Sequence, residues 1–156
     1  MYAVLSDGTV RAWGTNDTFG QLGGPAFAIV GLPRVVQGLT NLVRISTSFN
    51  FACAVHGDGR VSCWGNNDAN AMGPGRDSLC FYHEEGDTPP SRHHCRATPQ
   101  VIPGISDAAD VATNVGLVVV RRRDGTLLTF GASDATQPLQ SGETRHATPV
   151  AVPAIA

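Results

Sequence analysis

Cysteine and histidine side chains are the residues of this sequence with the clearest capacity for chemistry. Cys80 and Cys95 stand in one segment together with His83 and His94. Two thiolates and two imidazoles are a ligand set that zinc accepts, so these four residues offer a metal site. The alternative is a disulfide between Cys80 and Cys95, which would close the segment and stabilise it by about 3 kcal/mol in the chain-entropy model. We favour the disulfide, because the adjacent residues His94 and Cys95 make an awkward pair of ligands.

The other two cysteines flank a short turn sequence. If Gly57-Asp58-Gly59 forms a three-residue turn, Cys53 faces Cys63 across an antiparallel pair of strands. Directly opposed Cα atoms in such a pair lie about 4.5–5.5 Å apart, which a disulfide can span. A two-residue Asp58-Gly59 turn would instead place Cys53 opposite Trp64 and leave two small buried thiols. We predict the longer turn and a disulfide between Cys53 and Cys63.

Paired cysteines also bear on the compartment. Two pairs, each placed to bridge, indicate an oxidising environment. We therefore expect an extracytoplasmic or secreted protein, on a bacterial cell envelope. No signal peptide is recognisable, and Met1 to Leu5 already has the pattern of a first strand. We expect the chain to be a fragment of a longer repeat protein.

One phrase occurs three times and organises the chain. It runs from Ser6 to Gly14, from Gly57 to Gly65 and from Arg123 to Gly131. Each copy consists of Asp-Gly, a short β-prone run, an aromatic residue and a closing glycine. Asp-Gly between two apolar runs is a strong hairpin signal, since glycine adopts a positive φ without a Cβ clash. The sequence therefore predicts three repeated hairpins.

A second marker recurs at the same interval. Pro33 to Leu39 is repeated from Pro99 to Ile105 and, more weakly, from Pro149 to Ile155. Both markers give a period of about 50 residues with one insertion of about 15, and such a period is typical of a propeller blade. In the two full units we predict four strands each, at 34–38, 43–47, 51–56 and 60–64, and at 100–104, 109–113, 117–122 and 126–130.

These markers predict a single repeat array over residues 1–156. Its predicted parts are a partial blade at 1–32, a blade at 33–73, a loop insertion at 74–98, a blade at 99–148 and the start of another at 149–156. The predicted fold class is all-β, an incomplete β-propeller of about three four-stranded antiparallel blades.

The order of these motifs resembles the regulator of chromosome condensation repeat family. The residues that carry the resemblance are Ser6 to Gly14, Asn16, Gly20 to Gly23 and Pro33 to Leu39. The resemblance implies a seven-bladed propeller when an array is complete. It also implies a protein-binding role, or nucleotide exchange on a small GTPase, which the founding members of the family perform on chromatin.

No pattern in the sequence predicts catalysis or a cofactor. We find no nucleophile and base at a motif spacing, no phosphate-binding glycine loop and no zincin helix. The net charge of −2 argues against a nucleic-acid partner, and no window is apolar enough to span a membrane. We predict a non-catalytic protein–protein interaction module. Two alternatives stay open: a guanine-nucleotide exchange or chromatin-type regulator of a small GTPase, and an accessory domain of a larger enzyme or receptor.

The insertion is the segment that we expect to contact a protein partner, because propellers vary most easily in their loops. Its candidate contact residues are Phe81, Tyr82, Arg92, His93 and His94. Aromatic and arginine side chains are favoured at interfaces, and a closed loop loses less entropy on binding. Arg121-Arg122-Arg123 could meet an anionic partner, but a solvated strand end is the favoured interpretation. Open blade edges predict head-to-tail self-association.

Overall fold

The computed structural model describes residues 1–16, 19–24, 28–68, 70, 72–73, 78–82, 91–132 and 145–153. Within these residues all regular secondary structure is β, in three antiparallel sheets. The predicted all-β class is confirmed. Because the repeated phrases recur at a blade-sized interval, each sheet carries one of them.

The strands are numbered in chain order. The first sheet contains β1 (Tyr2–Val4), β2 (Val10–Asn16) and β3 (Ala28–Val35), in that order. The second contains β4 (Leu42–Thr47), β5 (Phe51–His56), β6 (Val61–Asn66), β7 (Ser78–Tyr82) and β8 (Ser91–Val101), in the order β4-β5-β6-β8-β7. The third contains β9 (Ala108–Asn114), β10 (Leu117–Arg122), β11 (Leu127–Ala132) and β12 (Arg145–Ala151), in the order β12-β11-β10-β9.

Each copy of the Asp-Gly phrase forms a tight turn between two strands. The turn glycines Gly8, Gly59 and Gly125 have φ values of +78°, +89° and +88°. In each turn the glycine N–H donates to the carbonyl oxygen three residues earlier, at 2.8–3.0 Å. The aspartate carboxylate accepts a further bond from the backbone N–H two residues later, at 2.9–3.1 Å. Local hydrogen bonds and a left-handed glycine therefore fix all three hairpins.

The turn between β5 and β6 has the predicted three-residue length. The N–H of His56 donates to the carbonyl oxygen of Arg60 at 2.9 Å, and Cys53 lies directly opposite Cys63. The Cα atoms of the two cysteines are 4.1 Å apart, and their sulfurs are at disulfide-bonding distance. Both side chains are fully buried. The predicted pairing of Cys53 with Cys63 is found, and its place in the core gives it a structural role.

The three sheets stack around two apolar cores, and the second sheet contributes to both. Successive residues of a strand point to opposite faces, so β5 divides its side chains between the two neighbours. Ala52 and Ala54 lie in the core that contains Val10 of the first sheet. Cys53 and Val55 lie in the core that contains Val118, Val120 and Phe130 of the third sheet. All six residues of β5 are therefore buried, which explains why its sequence lacks a clean alternation.

The first strand of the second sheet also bonds to the first strand of the third. The hydroxyl oxygens of Ser46 and Thr113 lie 3.0 Å apart, and the N–H of Thr113 donates to the Ser46 hydroxyl at 3.0 Å. β4 and β9 are in contact along this line. Neighbouring sheets are thus joined by polar contacts between their first strands as well as by apolar packing.

The proline-containing segments belong to a different sheet from the one predicted. We expected strands at 34–38 and 100–104 to begin new blades, but β3 and β8 end at Val35 and Val101 and pair with β2 and β6. Pro33 and Pro99 fall where the pairing register shifts. A bulge leaves a residue outside the ladder, so proline is tolerated there without the loss of a hydrogen bond. Each proline therefore marks a bulge in the strand that pairs with the second strand of the Asp-Gly hairpin, β3 in the first sheet and β8 in the second.

The loop expected at 74–98 is, in its described part, a β-hairpin. β7 pairs with β8 from Ser78 opposite Cys95 to Tyr82 opposite Ser91, and β8 continues along β6. Residues 74–77 and 83–90 lie outside the described part of the chain. The prediction of a loop was wrong for the two strands, because the surrounding Gly, Pro and Asp residues concealed a short β-prone run at Leu79 to Tyr82.

Candidate functional site

The β7–β8 hairpin presents two chemically different faces. Opposed residues of an antiparallel pair lie on the same face, and neighbours along a strand alternate. Leu79 is opposite His94 and Phe81 is opposite Arg92, so these four residues share one face, which we call the Phe81 face. Cys80, His93 and Cys95 share the other, the Cys80 face.

The Cys80 face holds the second pair of cysteines. The Cα atoms of Cys80 and Cys95 are 6.0 Å apart, and their sulfurs are at disulfide-bonding distance. His94 lies on the opposite face, because it is adjacent to Cys95 along β8. The zinc site considered from Cys80, His83, His94 and Cys95 is therefore not assembled, and His83 lies outside the described residues. No group of three or more His, Cys, Asp or Glu in the described part of the chain is placed to hold a metal ion.

Asp68 anchors the hairpin to the loop after β6. Its carboxylate accepts hydrogen bonds from the backbone N–H of His94 at 2.7 Å, from the side chain of Asn66 at 3.2 Å, and from Nδ1 of His93. Partial burial acts to raise the pKa of Asp68, but the bonds from His94, His93 and Asn66 outweigh it and hold the pKa below its ordinary value. The ionised carboxylate thus fixes the start of β8.

Two further contacts tie β8 to its surroundings. The ring of His93 meets the ring of Phe19, which lies between β2 and β3 of the first sheet, edge-on at a centroid distance of 5.3 Å. The guanidinium of Arg96 is buried and donates to the carbonyl oxygens of Met72 and Gly73 at 2.7 and 2.8 Å. These contacts hold β8 in place, so it is a rigid support for the Phe81 face.

The Phe81 face remains open to solvent. Leu79 is 53% exposed and Phe81 is 41% exposed, and the side chains of Arg92 and His94 beside them are exposed as well. Two apolar side chains therefore lie next to the guanidinium of Arg92 and the imidazole of His94. Sequence reasoning missed Leu79, although its spacing from Phe81 on a β-prone run was a sufficient signal.

The candidate contact residues are thus divided between the two faces. Phe81, Arg92 and His94 lie together on the exposed face, whereas His93 is engaged with Asp68. Tyr82 pairs with Ser91 in the backbone ladder, and its side chain is not described.

The run Arg121-Arg122-Arg123 is engaged within the fold. Arg122 donates to both carboxylate oxygens of Asp107 at 2.8 and 3.0 Å, and this bond holds the pKa of Asp107 below its ordinary value. Arg123 donates to the carbonyl oxygen of Gly57 in the second sheet at 2.9 Å. Arg121 lies 3.7 Å from a carboxylate oxygen of Asp110. The run therefore contacts carboxylates and the second sheet, which the expected solvated strand end did not include.

Comparison with known proteins agrees with the stacked hairpins. A family model for the regulator of chromosome condensation (RCC1) repeat matches residues 42–70, which include β4, β5 and β6. The resemblance predicted from the sequence is confirmed. Within the described residues, no helix is long and apolar enough to cross a membrane.

Curated relatives and solved structures extend the likeness to almost the whole chain. The E3 ubiquitin-protein ligase HERC2 of Homo sapiens is 24% identical over 98% of the chain, and that of Mus musculus is 23% identical over the same share. The chain spans 3% of the length of either relative. Yeast RCC1 (Prp20), solved bound to Kap60, aligns over 98% of the chain at a TM-score of 0.77 and 20% identity. Human WBSCR16 aligns over 97% at 0.74 and 18%.

These likenesses establish the fold. The three sheets are β-propeller blades, and together they span 35% of each of the two solved chains. The prediction of an incomplete propeller of about three antiparallel blades is confirmed, with sheets of three, five and four strands. The extra strand of the second blade is β7.

Proposed function

We propose that this chain is a non-catalytic protein–protein interaction module that binds its partner with the Phe81 face. The observation that carries the proposal is an exposed pair of apolar side chains, Leu79 and Phe81, beside Arg92 and His94 on an anchored hairpin. Aromatic and arginine side chains contribute strongly at the centres of protein interfaces. The partner is a protein whose surface offers an apolar contact and a hydrogen-bond acceptor for Arg92.

Anchoring of the hairpin supports this role. Binding through a mobile loop costs the entropy of ordering it, whereas a preformed strand loses little. The pair Cys80–Cys95 and the carboxylate of Asp68 hold the Cys80 face, and they leave the Phe81 face unobstructed. His93 is therefore a positioning residue for the surface, and Tyr82 stays a predicted contact at the end of β7.

Solved structures of similar propellers agree with a binding role. Yeast RCC1 (Prp20) was solved in complex with Kap60, and a second structure of Prp20p is described with its binding properties to Gsp1p and histones. Binding of protein partners by this fold is therefore known in proteins similar to this chain. The exchange-factor alternative rests on the resemblance alone.

A second candidate function is an accessory domain of a larger enzyme. The observation that favours it is the similarity to an E3 ubiquitin-protein ligase over 3% of that protein's length. A domain of this kind would still act by binding a protein, so the Phe81 face serves both candidates. The sequence of the flanking reading frame separates them, because it reveals either a fused catalytic domain or further repeats.

We propose that the protein works in an oxidising compartment, extracytoplasmic or secreted, as part of a bacterial cell-envelope propeller. The two cysteine pairs support this placement, since disulfides persist outside the cytosol. Protein unfolded in denaturant without a reductant and then alkylated should keep all four cysteines unmodified. Modification of any of them before reduction argues for a reducing compartment.

Photo-crosslinking in the native cell tests the proposed face. A photoreactive amino acid at position 81 or 92 should form one discrete adduct with a partner protein. The same group at position 115 should form none, although Val115 is more exposed, at 79% against 41% for Phe81, because it lies in the β9–β10 turn. Equal adducts at positions 81 and 115, or none at position 81, would contradict the proposal.

A further inference from the structure

The two cysteine pairs differ in how far a thiol in solution can reach them. Cys53 and Cys63 are fully buried on β5 and β6, and β4 and β8 cover these two strands on their outer sides. Cys95 is 1% exposed, whereas Cys80 is partly exposed on β7, the edge strand of the second sheet. Of the four cysteines, Cys80 is therefore the one that a solvent thiol can approach in the folded protein.

The direction of attack also favours Cys80. A thiolate attacks one sulfur of a disulfide from the side opposite its partner, and the rate depends on access to that sulfur. For Cys80 this side is the outer edge of β7, which pairs with β8 alone in the described part of the chain. For Cys95 it is the side of β6, where Asn66 lies opposite in the ladder. The first bond to an external thiol should therefore form at Cys80.

β7 depends on the disulfide more than β8 does. None of the described side chains of β7 belongs to either apolar core, and β7 pairs with β8 through five residue pairs. Two paired strands alone are marginally stable in water. β8 is held independently by its pairing with β6, by the carboxylate of Asp68 and by the buried Arg96. Opening of the disulfide should thus release β7 and leave β8 in place.

We infer that Cys80–Cys95 is a thiol-exchange site, modified at Cys80 by a low-molecular-weight thiol of the glutathione class, and that its opening dismantles the Phe81 face. The apolar pair of that face, Leu79 and Phe81, leaves with β7, whereas its two basic residues stay on β8. The consequence for partner binding rests on the proposed function of the Phe81 face. The exchange reaction and the release of β7 do not.

The exchange takes place in two balanced steps. A thiolate bonds to the Cys80 sulfur, the bond between Cys80 and Cys95 breaks, and the Cys95 sulfur leaves with the bonding pair and takes up a proton from water. A second thiolate attacks the sulfur of the bound thiol and frees Cys80, which takes up a proton in turn. Two thiols are oxidised to one disulfide, and two electrons and two protons pass to the cysteines. An excess of the oxidised thiol reverses both steps.

The first measurement compares the two disulfides in the folded protein. Native protein is incubated with reduced glutathione, quenched in acid at short times and mapped by mass spectrometry. Cys80–Cys95 should open at least about tenfold faster than Cys53–Cys63, because the rate depends on access to the attacked sulfur. The glutathione adduct should be on Cys80. Equal rates for the two disulfides, or an adduct on Cys95, would overturn the inference.

Two matched variants test the access to each sulfur separately. Cys95→Ser leaves Cys80 as a single thiol, and Cys80→Ser leaves Cys95. With glutathione disulfide as the probe, the thiol of Cys80 should react at least about tenfold faster than that of Cys95, because β8 stays buried against β6. Unfolding by denaturant verifies that both variants are folded. Equal reactivity in two folded variants would contradict attack at Cys80.

Hydrogen exchange measures the release of β7. The samples are native protein opened by glutathione and the double variant Cys80→Ser/Cys95→Ser, so the result does not depend on the folding of the variant alone. The β7 amides that bond to β8 should exchange about a hundredfold faster than in the oxidised protein, since the closed segment loses that advantage in chain entropy. The amides of β8 that bond to β6 should keep their protection. Unchanged exchange of β7 in the opened native protein would overturn the inference.

Photo-crosslinking at position 81 separates this inference from the proposed function. The adduct with the partner should fall at least about tenfold when the disulfide is opened, because a released β7 must be ordered again on binding. Faster exchange of β7 together with an undiminished adduct would overturn control of the Phe81 face. Absence of an adduct in the oxidised protein would contradict the proposed function, and the rates of disulfide opening and of β7 exchange would still decide the exchange site.

Discussion

At the scale of single residues, the turn glycines show how local chemistry determines the blade. The pairing of Cys53 with Cys63 follows from one decision, that Gly57-Asp58-Gly59 turns in three residues, and the structure has that turn. Burial and hydrogen bonds formed across sheets do not follow from such local rules. The engagement of His93 by Asp68 joins residues that are distant along the chain, so no spacing in the sequence indicated it.

Gly59 and Gly125 form a matched pair for a stability test. Both have a positive φ near +90°, so alanine at either should cost about 1–2 kcal/mol in backbone strain. A Cβ at position 59 would also lie 2.5 Å from the carbonyl oxygen of Ser106, whereas a Cβ at position 125 would have no atom of the described residues within 4 Å. Gly59→Ala should therefore cost a further 1–3 kcal/mol or so in the free energy of unfolding by denaturant. Equal losses in the two variants would show that the close approach of the third sheet is not as described.

Asp68 is the residue on which the pH response of the hairpin depends. Its folded pKa is lowered, so its stabilisation is complete above the ordinary aspartate value near 3.9 and is lost as the pH falls through the lowered folded value. Hydrogen exchange at the His94 amide should accelerate in that acidic window. Asp68→Asn should raise the exchange at neutral pH and remove the window. Asp58→Asn removes the same charge from a turn and should leave the exchange of β8 unchanged; an effect equal to that of Asp68→Asn would refute the anchoring role.

At the scale of secondary-structure elements, the strands of the Asp-Gly hairpins were predictable from the sequence, whereas β3, β7 and β8 were not. The sequence indicates β4, β5, β6, β9, β10 and β11 to within about two residues, because turn signals and apolar runs are local. The pairing of β3 and β8 with the preceding sheet depends on tertiary contacts, and the bulge at the proline conceals the continuity of the strand. The β7–β8 hairpin was missed for a related reason. Its strands are short and lie among residues of loop composition.

This correction changes the design of experiments on the hairpin. Deletion of residues 78–96 would be harmless if they formed a loop, but it would remove the first half of β8, including the buried Arg96. A deletion variant that lost binding would then report on folding as much as on contact. Point substitutions on the exposed Phe81 face avoid this ambiguity.

At the scale of the whole molecule, the repeat length and the paired markers were sufficient to predict a propeller. They were not sufficient to show which surfaces stay open. Leu117, Val119 and Leu127 of the third sheet occupy the positions of Phe51, Cys53 and Val61, which are buried between blades. In the third sheet these three side chains are only partly buried.

The partly exposed side chains of Leu117, Val119 and Leu127 predict that the isolated chain associates with itself, with the third sheet of one copy against the first sheet of another. The sedimentation coefficient should rise with protein concentration, because partly exposed apolar sheet faces associate. Val119→Asp should keep the chain monomeric, since a carboxylate would be buried on association. A concentration-independent monomer of the unsubstituted chain would contradict this expectation.

The most direct measurement for the central claim is partner capture by matched double variants. Immobilised protein with Leu79→Ser and Phe81→Ser is compared with protein carrying Leu32→Ser and Val115→Ser, two apolar residues that are each 79% exposed elsewhere. Both variants remove two exposed apolar side chains, and their unfolding by denaturant is measured alongside to verify the fold. The partner crosslinked at position 81 should be captured at least tenfold less by the first variant and equally well by the second. Full capture by the Leu79→Ser/Phe81→Ser protein would contradict binding through the Phe81 face.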